Sequence, residues 1–193
     1  MVKTRTWLRW LLSPAIRRGG DFGRNERGAV AIEFAILAFP FFTLIFAILE
    51  TSMVFLAGQM LDSAVQDSSR LIRTGQAQTD DYDIEEFRDV ICEGLYGLFN
   101  CDNLKIKVSV VSSFATATVA DPIDPDCSKT SAESDCDWTI VESYDPGLGS
   151  SIVLVQAHYK WPTIVNRPGF NLETQAGGTR LLSALRVFRN EPF

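Results

Sequence analysis

The chain has 193 residues, 46% of them hydrophobic, and a formal net charge of −6. Residues 1–28 hold seven Lys/Arg against Asp21 and Glu26, a net +5, which leaves −11 for the remainder. A short basic stretch abutting an apolar run excludes a nucleic-acid footprint and instead gives the positive-inside pattern, with residues 1–28 expected in the cytoplasm and the acidic bulk across the membrane.

Within residues 1–18, Trp7, Leu8, Trp10, Leu11, Leu12 and Ile16 alternate with basic residues. Such a segment can lie as an amphipathic helix on the inner leaflet, or be a loosely structured leader whose charges only fix topology, which is the preferred reading. Gly19, Gly20 and Gly23 make a pliable stretch that would give an enzyme access to Gly28. The next 21 residues, Ala29 to Leu49, are apolar apart from Glu33, Pro40 and Thr43. As a helix this run would be roughly 31 Å long, the thickness of a bilayer core. A cleaved secretory signal fits poorly, because its apolar core would be only about 7–15 residues with small residues at a far-side cleavage site. A signal anchor fits better, with the N-terminus inside. Glu33 is then a lone acid near the start of a span, a costly placement that points to function.

The helix is expected to continue past the membrane. Residues 50–78 contain no proline, and Met53, Leu56, Met60, Leu61, Ala64, Val65, Ser68, Leu71 and Ile72 recur at helical spacing. Gln59, Asp62, Gln66, Asp67 and Arg70 fill much of the opposite face. The helix should end near Thr74-Gly75, where glycine takes the left-handed conformation, and Pro40 should kink it. Asp80 to Asp83 predict a turn and helix N-cap, followed by helical spacing of Ile84, Phe87, Ile91, Leu95 and Leu98 over residues 84–99. The acids of residues 80–86 lack the alternating pattern of a calcium loop, and acids at a helix start complement its dipole without an ion.

Residues 104–111 alternate as a half-buried strand. Residues 152–161 are β-rich and expected to be buried, residues 179–189 favour a terminal strand over a helix, and residues 138–143 make a weaker strand. Residues 121–137, rich in Pro, Asp and Ser, read as a loop. Cys92, Cys101, Cys127 and Cys136 all fall on the exported side, where an even count predicts two disulfides with three possible connectivities. No CxxC exists and His158 is the only histidine, so no zinc site is expected. His158 lies in a strand pattern with no nucleophile motif beside it, which favours a structural role over a general base. No glycine-rich phosphate loop, HExxH or GxSxG is present. Neither catalytic residues nor a cofactor is expected.

The combination of a basic leader, Gly28, an apolar run, Glu33 five residues on and the aromatic Phe34 resembles the class III signal of type IV pilins. The match is closest to TadE-like pseudopilins of the tight adherence (Flp) pilus: residues 26–35, Glu-Arg-Gly-Ala-Val-Ala-Ile-Glu-Phe-Ala, look like the core of the TadE-like domain, which would span about residues 28–70. Arg70-Leu71-Ile72-Arg73-Thr74-Gly75-Gln76, Ile91-Cys92, Asn100-Cys101 and the tail Val187-Phe188-Arg189-Asn190-Glu191-Pro192-Phe193 extend the resemblance. It implies cleavage between Gly28 and Ala29 by a membrane prepilin peptidase, and an accessory, minor-pilin role in assembly alongside other pilin-like subunits. On that cleavage Glu33 becomes the fifth residue, able to pair with the new α-amine of a neighbouring chain and set helix register, with Phe34 beside it.

The expected fold is α+β: a cytoplasmic leader (1–28), a transmembrane helix (29–49), its amphipathic extension (50–78) and an exported head (79–193) with a mostly antiparallel sheet stapled by disulfides. Cys92–Cys101 and Cys127–Cys136 are the preferred pairs because the partners are close in sequence. The first pair requires the helix before it to end or turn, since a continuous helix would hold the two about 13 Å apart. The expected location is the inner membrane, single pass, with the head in the periplasm and a possible place in the fibre. The competing expectation is an uncleaved signal-anchored envelope protein whose exported domain binds a ligand or partner. A membrane-anchored enzyme is disfavoured by the missing motifs.

Overall fold

The computed structural model describes residues 28–127, 136–164, 166–167 and 170–193. The basic leader, the glycines at 19, 20 and 23, and the centre of the 121–137 loop lie outside the described residues.

Helix α1 runs 45 residues, Ala29–Arg73, with Pro40 inside it. Proline leaves one carbonyl of the ladder without its N–H partner, yet the helical assignment continues through it. Polar residues in the apolar half satisfy themselves locally: the hydroxyls of Thr43, Thr51 and Ser52 donate to the carbonyls of Phe39, Ala47 and Ile48, each at 2.8 Å. No hydroxyl in this stretch therefore needs water. Within residues 30–45 every large apolar side chain is exposed, and α1 is the one described helix long and apolar enough to cross a membrane.

The rest of the chain, 46–193, forms a second compact unit. Here α1 buries Val54, Ala57, Leu61, Ala64, Val65, Ser68 and Ile72, a 3–4 residue spacing that makes one face. Met53 and Leu56, expected on that face, are exposed. All five residues from Met53 to Ala57 are apolar, so periodicity alone could not choose a face; the core takes the one bearing Val54 and Ala57, while Met53 and Leu56 stay open.

Gly75 ends α1 with φ +80°, and a short helix α2 follows, Gln76–Thr79. Helix α3, Ile84–Glu93, starts from a reciprocal cap: Asp83 accepts from the backbone N–H groups of Glu85 and Glu86, and Glu86 accepts from that of Asp83. The acids of this run thus satisfy helix-start donors. Helical spacing to residue 99 overestimates α3. The chain turns at Gly94, where a Cβ would lie 2.9 Å from that of Ala64, and passes through positive φ at Tyr96 and Gly97. The turn brings Cys101 back to Cys92, Cα–Cα 6.1 Å, in a disulfide.

The main sheet has the order β2-β1-β3-β6. Strand β1 is Lys105–Val111, β2 Ser143–Tyr144, β3 Ile152–Pro162 and β6 Thr179–Arg189, while β4 (Asn166–Arg167) and β5 (Phe170–Asn171) form a separate ribbon. β3 pairs antiparallel with β1 and β6, and β2 pairs parallel with β1, so the sheet is mixed. The strand expected over 138–143 is reduced to an isolated Trp138–Ile123 bridge and to β2. Its place beside β1 is taken by a side chain: the Glu142 carboxylate accepts the Ile106 N–H at 3.1 Å, with Arg88 at 2.9 Å and Lys105 at 3.1 Å. Burial pushes this carboxyl's pKa up, but the three donors outweigh burial and hold it below the ordinary value.

The core lies between α1, α3 and the sheet, with Phe87, Ile91, Leu95, Leu104, Ile106, Val108, Val153, Val155 and Ala157 at its centre. A smaller cluster of Ile123, Cys127, Cys136 and Ala176 packs with Trp138 and Leu181 around the second disulfide, Cys127–Cys136.

Candidate functional site: the two ends of the long helix

At its start, α1 leaves the signal residues open. Gly28 is exposed with nothing within 4 Å of the position a Cβ would take, and Ala29 opens the helix. Glu33 sits one turn in and is exposed, as is Phe34. No Lys or Arg occurs between Arg27 and Arg70, so the helix offers the Glu33 carboxylate no cation at the three- or four-residue spacing that stabilises helical ion pairs. Beside it, Phe34, Leu37, Ala38, Phe41 and Phe42 line a shallow apolar groove. The 34, 37, 38, 41 spacing is that of a helix-packing face.

At its other end, α1 is locked by the C-terminal tail, two segments far apart in sequence. The last carbonyls of a helix lack partners within it. Arg73's is taken by the Glu191 N–H at 2.9 Å, while the two side chains make a half-exposed ion pair, 3.5 Å, of the kind that contributes little alone. Asn190 is buried: its amide nitrogen donates to the carbonyls of Pro146 and Leu148, at 2.9 and 3.0 Å, and its N–H to that of Ser151 at 2.8 Å. The Phe193 ring lies over Gly75, so closely that a Cβ there would sit 2.7 Å from it. Gln78 bridges the carbonyls of Ile72, Pro146 and Gly147. Just upstream in β6, Arg186 reaches Asp62 of α1 at 2.6 Å. The residues 70–76 and 187–193 singled out above as separate stretches are therefore one constellation. Sequence reasoning identified both but had no means of joining them.

His158 is not offered to solvent. It is buried on β3, and its Nδ1 lies 2.8 Å from the Ser183 hydroxyl of β6. Burial pushes its pKa down from 6.5 to about 4, only partly offset by the Asp121 charge. The unfolded imidazole takes its proton near pH 6.5 and the folded one only near 4, so stability should fall as the pH drops through that window, by on the order of 3 kcal/mol, and be unaffected by this group above it. Urea midpoints of the native chain and of His158→Gln, compared at pH 7.5 and pH 4.5 in detergent, check this; the difference between the two proteins should shift with pH. Among the described residues no group of three or more His, Cys, Asp or Glu is placed to hold a metal ion.

The family model described as TadE-like protein matches residues 28–70. No curated protein and no solved structure matches the chain. The matched segment begins at the exposed glycine, contains Glu33 and the apolar groove, and ends within a turn of the helix terminus held by the tail. Over residues 28–70 the chain is thus similar to TadE-like proteins.

Proposed function

We propose that the protein is a minor pseudopilin acting in assembly of tight adherence pili, with no catalytic activity of its own. It is anchored in the inner membrane by α1, with the leader cytoplasmic and the disulfide-bonded head periplasmic. A prepilin peptidase cuts between Gly28 and Ala29. The cut leaves an α-amine at the start of an apolar helix, and Glu33 of a neighbouring pilin-like helix accepts it.

The observation that carries this reading is Glu33, exposed on a helix with no Lys or Arg between Arg27 and Arg70. An acid at the edge of a membrane span costs up to roughly 2.5–3.5 kcal/mol, and an unpaired charge in a helix bundle is worse still. A cationic partner therefore has to come from outside this helix, and a new N-terminal amine is the partner that processing creates. The adjacent groove from Phe34 to Phe42 supplies a surface on which a second helix can pack, and the family match begins at the proposed cleavage site.

N-terminal sequencing of the protein from cells with and without the prepilin peptidase tests the proposal. The mature chain should begin at Ala29 only where the peptidase is present. An intact Met1 in normal cells would overturn the proposal in favour of an uncleaved signal-anchored envelope protein.

A further inference from the structure

We infer that the head rests on the lipid surface through an apolar belt made of α1 residues Met53, Phe55 and Leu56 and of Ile164, in the connection that follows β3. The inference rests on the membrane-spanning reading of α1.

Large exposed apolar side chains run along α1 from Val30 to Leu56. These 27 residues make a helix roughly 40 Å long. A bilayer's hydrocarbon core is about 30 Å thick, and about 40–45 Å with its headgroup layers. The apolar surface thus outruns the hydrocarbon by close to two turns, which places Met53, Phe55 and Leu56 at headgroup depth on the head's side.

Past Glu33, one further carboxyl side chain interrupts this surface. Between Phe34 and Leu61 the sole ionisable side chain is Glu50. On a helix whose neighbours Phe46, Ile48, Leu49 and Met53 are open, it is only 9% exposed. The tip of that connection covers it: the Ile164 N–H donates to Glu50 Oε1 at 2.5 Å. The tip is itself fixed, since the Thr163 N–H and hydroxyl both donate to the Gly178 carbonyl at 2.8 Å. With its backbone so held, the Ile164 side chain is 90% exposed, more than any other large apolar side chain among the described residues. The arrangement removes the one charge from the belt and presents an isoleucine at the same level. An apolar surface continuous with a membrane span suits lipid, where side chains at the span's edge partition into the headgroup and upper acyl region.

Spin labels test this in the full chain, reconstituted into vesicles of phosphatidylethanolamine and phosphatidylglycerol. All four native cysteines are bonded, so a single added thiol can be labelled in Leu37→Cys, Leu56→Cys, Leu148→Cys or Ile164→Cys. Labels at 37, 56 and 164 should collide more with oxygen, which concentrates in lipid, than with a water-soluble nickel complex; the label at 148 should do the reverse. If 37 reports lipid while 56 and 164 report water like 148, the belt is refuted and the span stands. Labels at 56 and 164 shielded from both reagents would assign the belt to a protein partner and likewise overturn the inference. A label at 37 open to the nickel complex would refute the span itself, and the belt with it.

Discussion

Gly75→Ala should destabilise the head by on the order of 2–3 kcal/mol, whereas Gly97→Ala should cost only about 1 kcal/mol. Both glycines hold φ near +75 to +80°, so both substitutions force an L-residue into the left-handed region and carry the same intrinsic penalty of about 1–2 kcal/mol. They differ in what a Cβ meets. At Gly97 nothing lies within 4 Å; at Gly75 the ring of Phe193 lies at 2.7 Å. The contact is with a side chain that can rotate away, so the extra cost is the loss of that contact and the loosening of the tail around it, including the Glu191 N–H bond to the Arg73 carbonyl. A double-mutant cycle isolates that term. In a Phe193→Ala background Gly75→Ala should cost no more than Gly97→Ala does in the native chain. Denaturant unfolding in detergent, followed by tryptophan fluorescence, measures all four differences. Equal costs at the two glycines in the native chain would mean that the tail does not lock the helix end.

That lock shows where the sequence was legible and where it was not. Local signals worked: the extent of α1, the glycine that ends it, the Asp83 cap, and strands β1, β3 and β6 follow from spacing and turn chemistry within a few residues. Signals that depend on which of two apolar faces meets the sheet did not. Val54 and Ala57 are buried and Met53 and Leu56 open, a choice fixed by packing partners more than forty residues away. Helical spacing persisted through Leu95 and Leu98 after the helix had stopped at Glu93, because Leu95 is still buried by the turn that closes the Cys92–Cys101 loop. Strand β2 was shortened because the Glu142 carboxylate replaced a backbone partner of Ile106. At the candidate site, charge and hydropathy alone single out Gly28 and Glu33, because the features that mark them are local to one helix. Asn190, Glu191 and Phe193 acquire theirs only from Gly75, Arg73 and the 146–151 turn, contacts the linear pattern does not record.

Glu33→Ala should leave cleavage after Gly28 largely intact and abolish pilus assembly. The proposed cleavage site begins at Gly28, five residues upstream of Glu33, and nothing lies within 4 Å of the position a Cβ at Gly28 would take, so removing the carboxylate should leave a peptidase the same open glycine. On the proposed reading, what is lost is the partner for the amine that cleavage creates. A helix ending in an unpaired ammonium must either keep it hydrated at the membrane surface or bury it among apolar neighbours at a cost of several kcal/mol. The apolar groove beside Glu33 gives packing energy but little axial register, because one Phe or Leu can replace another by sliding a turn, whereas a single ion pair is satisfied at one offset only. Glu33→Gln separates charge from shape. It keeps the size and a hydrogen-bonding carbonyl but cannot neutralise the amine, so it should fail in assembly nearly as completely as Glu33→Ala, while Glu33→Asp should retain part of it. Piliation scored by electron microscopy beside immunoblots of the mature chain reads both steps. Normal piliation in Glu33→Gln would refute the pairing even if the N-terminus proves to be Ala29, and uncut protein in Glu33→Ala would place Glu33 in peptidase recognition instead.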